Sequence, residues 1–319
     1  MVKMFPTILN RRMQTDWLGK SWDWRYPAMR RDQASELRSM VLHSSHPSPT
    51  GKKTNARMIA VLGGKGGVGT TTITLNLSVA LAQLGHRVVV IDAHLGRSDI
   101  ASLCCLREKY GIGDVVSAQR DLHEALQPGP VGIQVLPGTW APENRIDCSE
   151  FSRQRFIRRV QALELYADWI VLDTGSSPSS KFSQNLCYAS DHVLLVTCKD
   201  TVSVMDTYAT IKTLVQQGSV QSLQTIVNQC FDKKVAGEIQ QRLKNSCQQF
   251  LNIDLSTCGK IPLDPLVGDA AELGVPFMTK SPTCQATRAV EKLASHFVAL
   301  AQKSANGSAT RQSLESVPG

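Results

Sequence analysis

The sequence predicts an α/β protein in which a mostly parallel β-sheet carries helices on both faces. Short β-branched apolar runs alternate with longer stretches of helical period, the pattern of strands joined by crossover helices. The first run leads directly into a glycine-rich segment that opens a helix. A chain of 319 residues, 42% of them hydrophobic, is ample for the core that such a sheet needs.

From the N-terminus, residues 1–56 read as a basic arm, closed by the linker-like stretch Ser44-Ser45-His46-Pro47-Ser48-Pro49-Thr50-Gly51-Lys52-Lys53. A domain spanning 57–303 follows. Its predicted strands are Met58 to Leu62, Arg87 to Ile91, Ile133 to Leu136, Trp169 to Leu172, His192 to Thr197 and Thr225 to Val227, with an extended stretch near Gly259 to Pro262. Helical patterns between them include Thr71 to Leu84, Ser149 to Leu165, Ser203 to Gln217 and Val235 to Phe250. A last pattern, about Gln285 to Gln302, sets Val290, Leu293, Ala294, Phe297 and Ala301 on one side, a core-facing stripe. Residues 304–319 are polar and Ser-rich, the composition of a disordered tail.

No apolar run reaches the ~18 residues of a membrane span, and the N-terminus lacks the apolar stretch of a signal peptide. A soluble, cytoplasmic protein is expected. Nine scattered cysteines include the pair Cys104 and Cys105 but no Cys-x-x-Cys, which points to reduced, mostly buried thiols. The net charge of +8 belongs to the arm: residues 1–58 carry eleven Lys/Arg against four Asp/Glu, the remainder twenty-four against twenty-three. Such a segment suits an acidic partner, nucleic acid or an anionic membrane surface, and equally a solvated arm.

The glycine segment Gly64-Lys65-Gly66-Gly67-Val68-Gly69-Thr70-Thr71 lies between the first predicted strand and a helix. Glycines allow close backbone approach, successive N–H groups point at an anion, and the helix dipole favours its charge. An ordinary P-loop reads G-x-x-x-x-G-K-[ST], and its lysine position is Thr70 here. The absent lysine would supply a bond of ~1.5–3 kcal/mol, so nucleotide binding is weakened roughly ten- to a hundred-fold. The same residues also spell G-x-G-x-x-G at Gly64, Gly66 and Gly69, with Asp92 following 23 residues after the last. That is the dinucleotide-binding fingerprint, and on local sequence both readings stand.

Gly63 to Thr72 resembles the deviant Walker A of the MinD/ParA family, K-G-G-x-G-K-[ST]. The resemblance implies a P-loop fold that binds ATP or ADP with magnesium. Gly64, Lys65, Gly66, Gly67, Val68, Gly69, Thr70, Thr71 and Thr72 would line the nucleotide. Lys65 matches the signature lysine that reaches the partner subunit's phosphates in the family's ATP-bound dimer, and Thr71 the magnesium-binding hydroxyl. Asp92 and Asp173, the latter in Trp169-Ile170-Val171-Leu172-Asp173-Thr174-Gly175, match acids that hold magnesium directly or through water. The family's second switch acid is His94 here, and a neutral imidazole does not replace a carboxylate beside magnesium-bound water. Asn228 falls at the adenine-contacting asparagine, and Pro262, in Gly259-Lys260-Ile261-Pro262-Leu263-Asp264, in the loop that closes the base pocket. Thr201 to Lys212 is similar to the segment after the next strand in flagellar regulators of this family.

Upstream, Asp32-Gln33-Ala34-Ser35-Glu36-Leu37-Arg38 resembles the D-Q-A-x-x-L-R motif of FlhG-type proteins, also called FleN or YlxH. There the motif helix docks on the GTPase FlhF and stimulates it through its glutamine, which implies partner contacts from Asp32, Gln33, Ala34, Leu37 and Arg38. The resemblance runs from about Asp32 to Phe297. It implies a regulator of flagellar number or placement that acts on an FlhF-like GTPase, forms a nucleotide-dependent homodimer, and hydrolyses ATP slowly or not at all. A nucleotide-independent scaffold and an NAD-binding Rossmann protein are the alternatives. Residues 1–31, with Trp17, Trp22, Trp24 and Tyr26 among arginines, suit a membrane interface, a nucleic-acid contact, a protein groove or packing on the domain. Peripheral membrane contact fits the family, although the tail does not resemble its basic targeting helix; nucleic acid is not an expected partner.

Overall fold

The computed structural model describes residues 56–93, 98–107, 109–139, 149–176 and 180–314, with side chains to Ser304. The described strands are β1 (Arg57–Gly63), β2 (Val88–Asp92), β3 (Gln127–Pro128), β4 (Gln134–Leu136), β5 (Trp169–Ser176), β6 (His192–Thr197), β7 (Leu223–Val227) and β8 (Ser256–Lys260). They form one sheet in the order β3-β4-β2-β5-β1-β6-β7-β8. Only the short β3 runs antiparallel, against β4. The predicted α/β class with a mostly parallel sheet is therefore observed.

Strand side chains alternate between the two faces. Met58, Ala60 and Leu62 enter one core with Val89, Ile91, Ile170 and Leu172. Ile59 and Val61 enter the other with Val88, Val90, Val171 and Leu194. Strands buried on both faces need no polar alternation, hence their continuous apolar runs. The first face is covered by α2 (Glu150–Gln161), α3 (Lys181–Ala189), α4 (Thr201–Gln217) and α5 (Lys233–Leu251), through residues such as Phe156, Phe182, Ile211 and Leu243. The second is covered by α1 (Thr70–Gln83) and α6 (Gln285–Leu314).

Helix α1 lies between the sheet and α6 and is buried almost all round, with Ile73, Leu75, Leu77 and Leu81 in the core. Three of its four buried polar side chains are hydrogen-bonded. Thr74 and Ser78 hydroxyls donate to the Thr70 and Thr74 carbonyls, and Asn76 Oδ1 accepts from Met278 N at 3.1 Å.

Several helix starts follow from capping oxygens. Ser149, Ser180, Asp200, Asp232 and Asp264 each accept a backbone N–H of the first turn. The Asp200 and Asp232 caps set the starts of α4 and α5 at Thr201 and Lys233, two residues before their apolar patterns begin. The last strand is Ser256–Lys260 rather than a stretch reaching Pro262, because proline has no N–H to continue the ladder. Val290, Leu293, Ala294 and Phe297 are buried as the stripe predicted. The backbone of α6 continues to Leu314, beyond the domain end read at 303 from composition.

Under α6, Phe297 packs its ring against Trp169, His192 and His296. His296 Nε2 is 2.9 Å from Gln224 Oε1, whereas His192 Nδ1 is buried without a partner. Burial pushes both imidazoles below the ordinary 6.5, so they stay neutral in the folded chain while the unfolded chain takes up protons as pH falls. Their contribution is fully present above pH 6.5 and is lost as pH drops toward the depressed folded values. The urea midpoint is expected to fall from about pH 7.5 to about pH 5.5, and His192→Leu to flatten that slope. A slope unchanged in the variant would remove His192 from this account.

Candidate functional site

Because β2, β5, β1, β6 and β7 are parallel, their carboxyl ends share one edge, where the following loops converge. β1 ends at Gly63, and residues 64–69 form the loop into α1. Gly69 has φ 91°, the left-handed conformation that favours glycine, and a Cβ there would lie 2.4 Å from Asn228 Nδ2. Gly64 sits so close to α4 that a Cβ would meet Thr207 N at 2.5 Å. Gly66 is different: a Cβ would find only Ser176 Oγ, at 3.9 Å. The chain's own packing does not demand glycine at Gly66, so its bare backbone leaves room for a ligand.

In the first turn of α1, Thr70 is buried with its hydroxyl turned back under Gly63, while Thr71 and Thr72 are partly exposed. No acid lies in that turn, so the positive end of the helix dipole is not offset from within the helix. Lys65 is the cation of the loop. Its Nζ donates to Asp200 Oδ1 at 2.7 Å, and Asp200 also caps α4 by accepting from Ser203 N at 2.9 Å. The hydrogen bond to Asp200 raises the Lys65 ammonium above its ordinary value and lowers the Asp200 carboxyl.

Two carboxylates stand beside the loop. Asp92 ends β2, and Asp173 lies opposite it on β5 in register, both fully buried. Asp92 Oδ2 accepts from Ile100 N at 3.1 Å, and Asp173 Oδ1 from Gly175 N at 3.1 Å. Among the described residues no group of three or more His, Cys, Asp or Glu could hold a metal. A hydroxyl and two carboxylates on neighbouring elements are nonetheless the hard-oxygen set that suits magnesium, which keeps much of its water.

On the other side, Asn228 Nδ2 donates to Val68 O at 2.8 Å, so β7 braces the glycine loop directly. The loops after β7 and β8 are joined as well. Cys230 N donates to Ile261 O at 3.1 Å, and Lys260 Nζ donates to the carbonyls of Cys230 and Phe231. Asn228 thus touches the glycine loop, and the loop holding Pro262 is tied to the segment that follows Asn228.

The family described as the CobQ/CobB/MinD/ParA nucleotide binding domain matches residues 59–277. The chain belongs to this family. It is 30% identical over 216 residues to the antiactivator FleN of Pseudomonas aeruginosa, covering 68% of this chain and 77% of that one. It is 28% identical over 190 residues to the flagellum site-determining protein YlxH of Helicobacter pylori, covering 57% and 61%. Among solved structures, the cell division ATPase MinD of Pyrococcus furiosus superposes with a TM-score of 0.65 at 22% identity, over 77% of this chain and 99% of that one. MinD of Pyrococcus horikoshii, solved with Mg-ADP, gives 0.64 at 22% identity, over 77% and 97%. The resemblance to FleN and YlxH read from the motifs is borne out.

Strand order separates the two readings of the glycine segment. The dinucleotide fingerprint needs the strand bearing its acid beside the glycine strand, but here β5 separates β2 from β1 and pairs Asp92 with Asp173. The NAD-binding alternative fails on this point. Residues Gly64 to Thr72, Asp92, Asp173, Asn228 and Pro262 gather at the edge; His94 and the motif Asp32 to Arg38 lie outside the described residues. Asp200 and Thr207 escaped sequence reading. An aspartate before a helix signals a cap, but nothing local shows that it meets Lys65, 135 residues away. Asn228→Ala leaves the Val68 carbonyl only the weak Cys198 thiol donor at 3.8 Å, so a loss of about 1–3 kcal/mol in stability is expected by thermal melting. An unshifted melting temperature would show that the amide does not brace the loop.

Proposed function

We propose that this MinD/ParA-family protein binds ATP or ADP with magnesium at the glycine loop and regulates flagellar number or placement, with slow or absent ATP hydrolysis. The observation that carries the reading is the meeting of the glycine loop, Lys65 and the buried pair Asp92 and Asp173 at one edge of the sheet. Backbone N–H groups of residues 65–72 would receive the phosphates, with Gly64 giving close backbone approach and Asn228 and Pro262 toward the base. Thr71, with Asp92 and Asp173 directly or through water, would hold magnesium, which supplies charge neutralisation at the phosphates. The kinship with FleN and YlxH supports the flagellar role.

Hydrolysis is where the chain departs from its family pattern. Phosphoryl transfer depends on charge placed at the γ-phosphate, and two of those positions are Thr70 and His94. The remaining cation, Lys65, is bound to Asp200, which a phosphate must displace or outcompete. By calorimetry, Thr70→Lys is expected to tighten Mg-ATP binding roughly ten- to a hundred-fold. Ordinary turnover by the natural chain would refute the impairment, and undetectable binding would favour the nucleotide-independent scaffold.

The partner is an FlhF-like GTPase, engaged by Asp32, Gln33, Ala34, Leu37 and Arg38, with Gln33 positioning the attacking water. Nucleotide-dependent homodimerisation would accompany this, with Lys65 serving the partner subunit's phosphates. A peptide of residues 28–44 is expected to stimulate such a GTPase, and Gln33→Ala to abolish the stimulation. Undiminished stimulation by Gln33→Ala would sink the motif assignment.

A further inference from the structure

Of the eight described cysteines, five are buried, Cys104 and Cys258 are half-buried, and Cys105 alone is exposed. Cys104 and Cys105 are adjacent and lie in the turn that follows the short helix Asp99–Ser102. That helix is fixed near its start, because Ile100 sits in the core of the second face and its N–H is held by Asp92 Oδ2. The turn closes with Cys104 N and Leu106 N both donating to Ala101 O, at 3.2 and 3.0 Å, and it leaves Cys105 in the left-handed region with φ 50°.

The two thiols meet different surroundings. Cys104 packs with Leu103 and Leu106 against the second core. Burial, and after it the neighbouring Cys105, pushes the Cys104 thiol up to about 12, so it carries almost no thiolate at neutral pH. Cys105 Sγ donates to Leu273 O at 3.7 Å, and Gly274 comes so close that a Cβ there would lie 2.5 Å from that sulfur. The segment that continues from Gly274 is fastened to α1, where Asn76 Oδ1 accepts from Met278 N at 3.1 Å. The Cys105 thiol therefore hooks the turn at 103–106 onto a fixed part of the domain.

We propose that Cys104 and Cys105 are a reversible redox site, which a hydroperoxide oxidises to a disulfide between adjacent residues, unhooking the turn from Leu273 and Gly274. The exposed Cys105 sulfur attacks a peroxide oxygen, the O–O bond breaks, and the leaving hydroxide takes the Cys105 proton as water, which gives a sulfenic acid on Cys105. The Cys104 sulfur then attacks that sulfur. The S–S bond forms as the S–O bond breaks, and the hydroxyl leaves with the Cys104 proton as a second water. The two thiols give up two electrons in all, and the peroxide takes them. Adjacency offsets the low thiolate content of Cys104, because no thiol in solution reaches its effective concentration at the neighbouring sulfur. Adjacent Cα atoms are ~3.8 Å apart, less than the ~4.4–6.8 Å that a disulfide usually spans, so the ring strains the turn and is easily reduced again. Oxidised Cys105 has no S–H to give Leu273 O. The turn must reshape, one short helix away from the N–H held by Asp92.

The test is oxidation of the full chain with equimolar hydrogen peroxide, followed by alkylation under denaturing conditions and tryptic mass spectrometry. Cleavage after Arg97 and Arg107 gives a peptide, residues 98–107, whose only cysteines are this pair. That peptide is expected to lose two hydrogen atoms and to resist alkylation, and dithiothreitol should restore both thiols. Cys104→Ser should stop at the sulfenic acid, trapped on Cys105 by dimedone, whereas Cys105→Ser should leave Cys104 unoxidised. In the oxidised natural chain, amide hydrogen exchange across 100–106 and 273–275 should quicken at least about ten-fold, and in Cys105→Ser peroxide should leave it unchanged. None of these readouts uses nucleotide, so the site stands or falls apart from the nucleotide reading. An unoxidised peptide, a disulfide from either residue to another cysteine, oxidation of Cys105 past the sulfenic acid without the bond, or unchanged exchange in the oxidised chain would each overturn the proposal.

Discussion

The burial of β1 between β5 and β6 is the constraint on which the rest of the structure depends. From Met58 to Gly63 every residue of this strand is buried, with parallel neighbours on both edges and apolar layers on both faces. A strand so placed cannot shift register without turning its side chains into the wrong core. The glycine loop therefore leaves the sheet from a fixed point. The first turn of α1 inherits that position, because the helix is held between the sheet and α6.

The same arrangement sets the acids. β5 pairs with β1 on one side and β2 on the other, and this places Asp173 next to Asp92 at the edge from which the loop rises. On the opposite flank, β6 delivers Asp200 to Lys65, and β7 delivers Asn228 to the Val68 carbonyl. The loop is thus held by contacts from strands far apart in sequence. Glycine at Gly64 and Gly69 is the condition for that closeness, since a side chain would collide with α4 at one and Asn228 at the other.

Electrostatically, the loop is sparer than the ordinary P-loop. Thr70 contributes a hydroxyl that turns inward, and the ammonium of Lys65 is already matched to a carboxylate. What remains for a phosphate is the helix dipole, the open backbone at Gly66 and whatever exchange Asp200 permits.

Much of this was legible in the sequence. The apolar runs of β1, β2, β5 and β6 announce strands buried on both faces, and the stripe from Val290 to Phe297 announces its core-facing helix, because period and apolarity are local properties. The glycine segment, Asp92 and Asp173 stand out by residue type alone. Strand order is not local, and it separated the two readings of Gly64, Gly66 and Gly69: both spell the same residues, but only the insertion of β5 moves Asp92 away from the strand bearing the glycines and into register with Asp173. The engagement of Lys65 by Asp200 and of Val68 by Asn228 likewise joins residues more than a hundred positions apart. The sequence determined the elements and the family; the tertiary structure determined which chemical groups meet, because parallel pairing brings strand ends together in an order the chain does not follow.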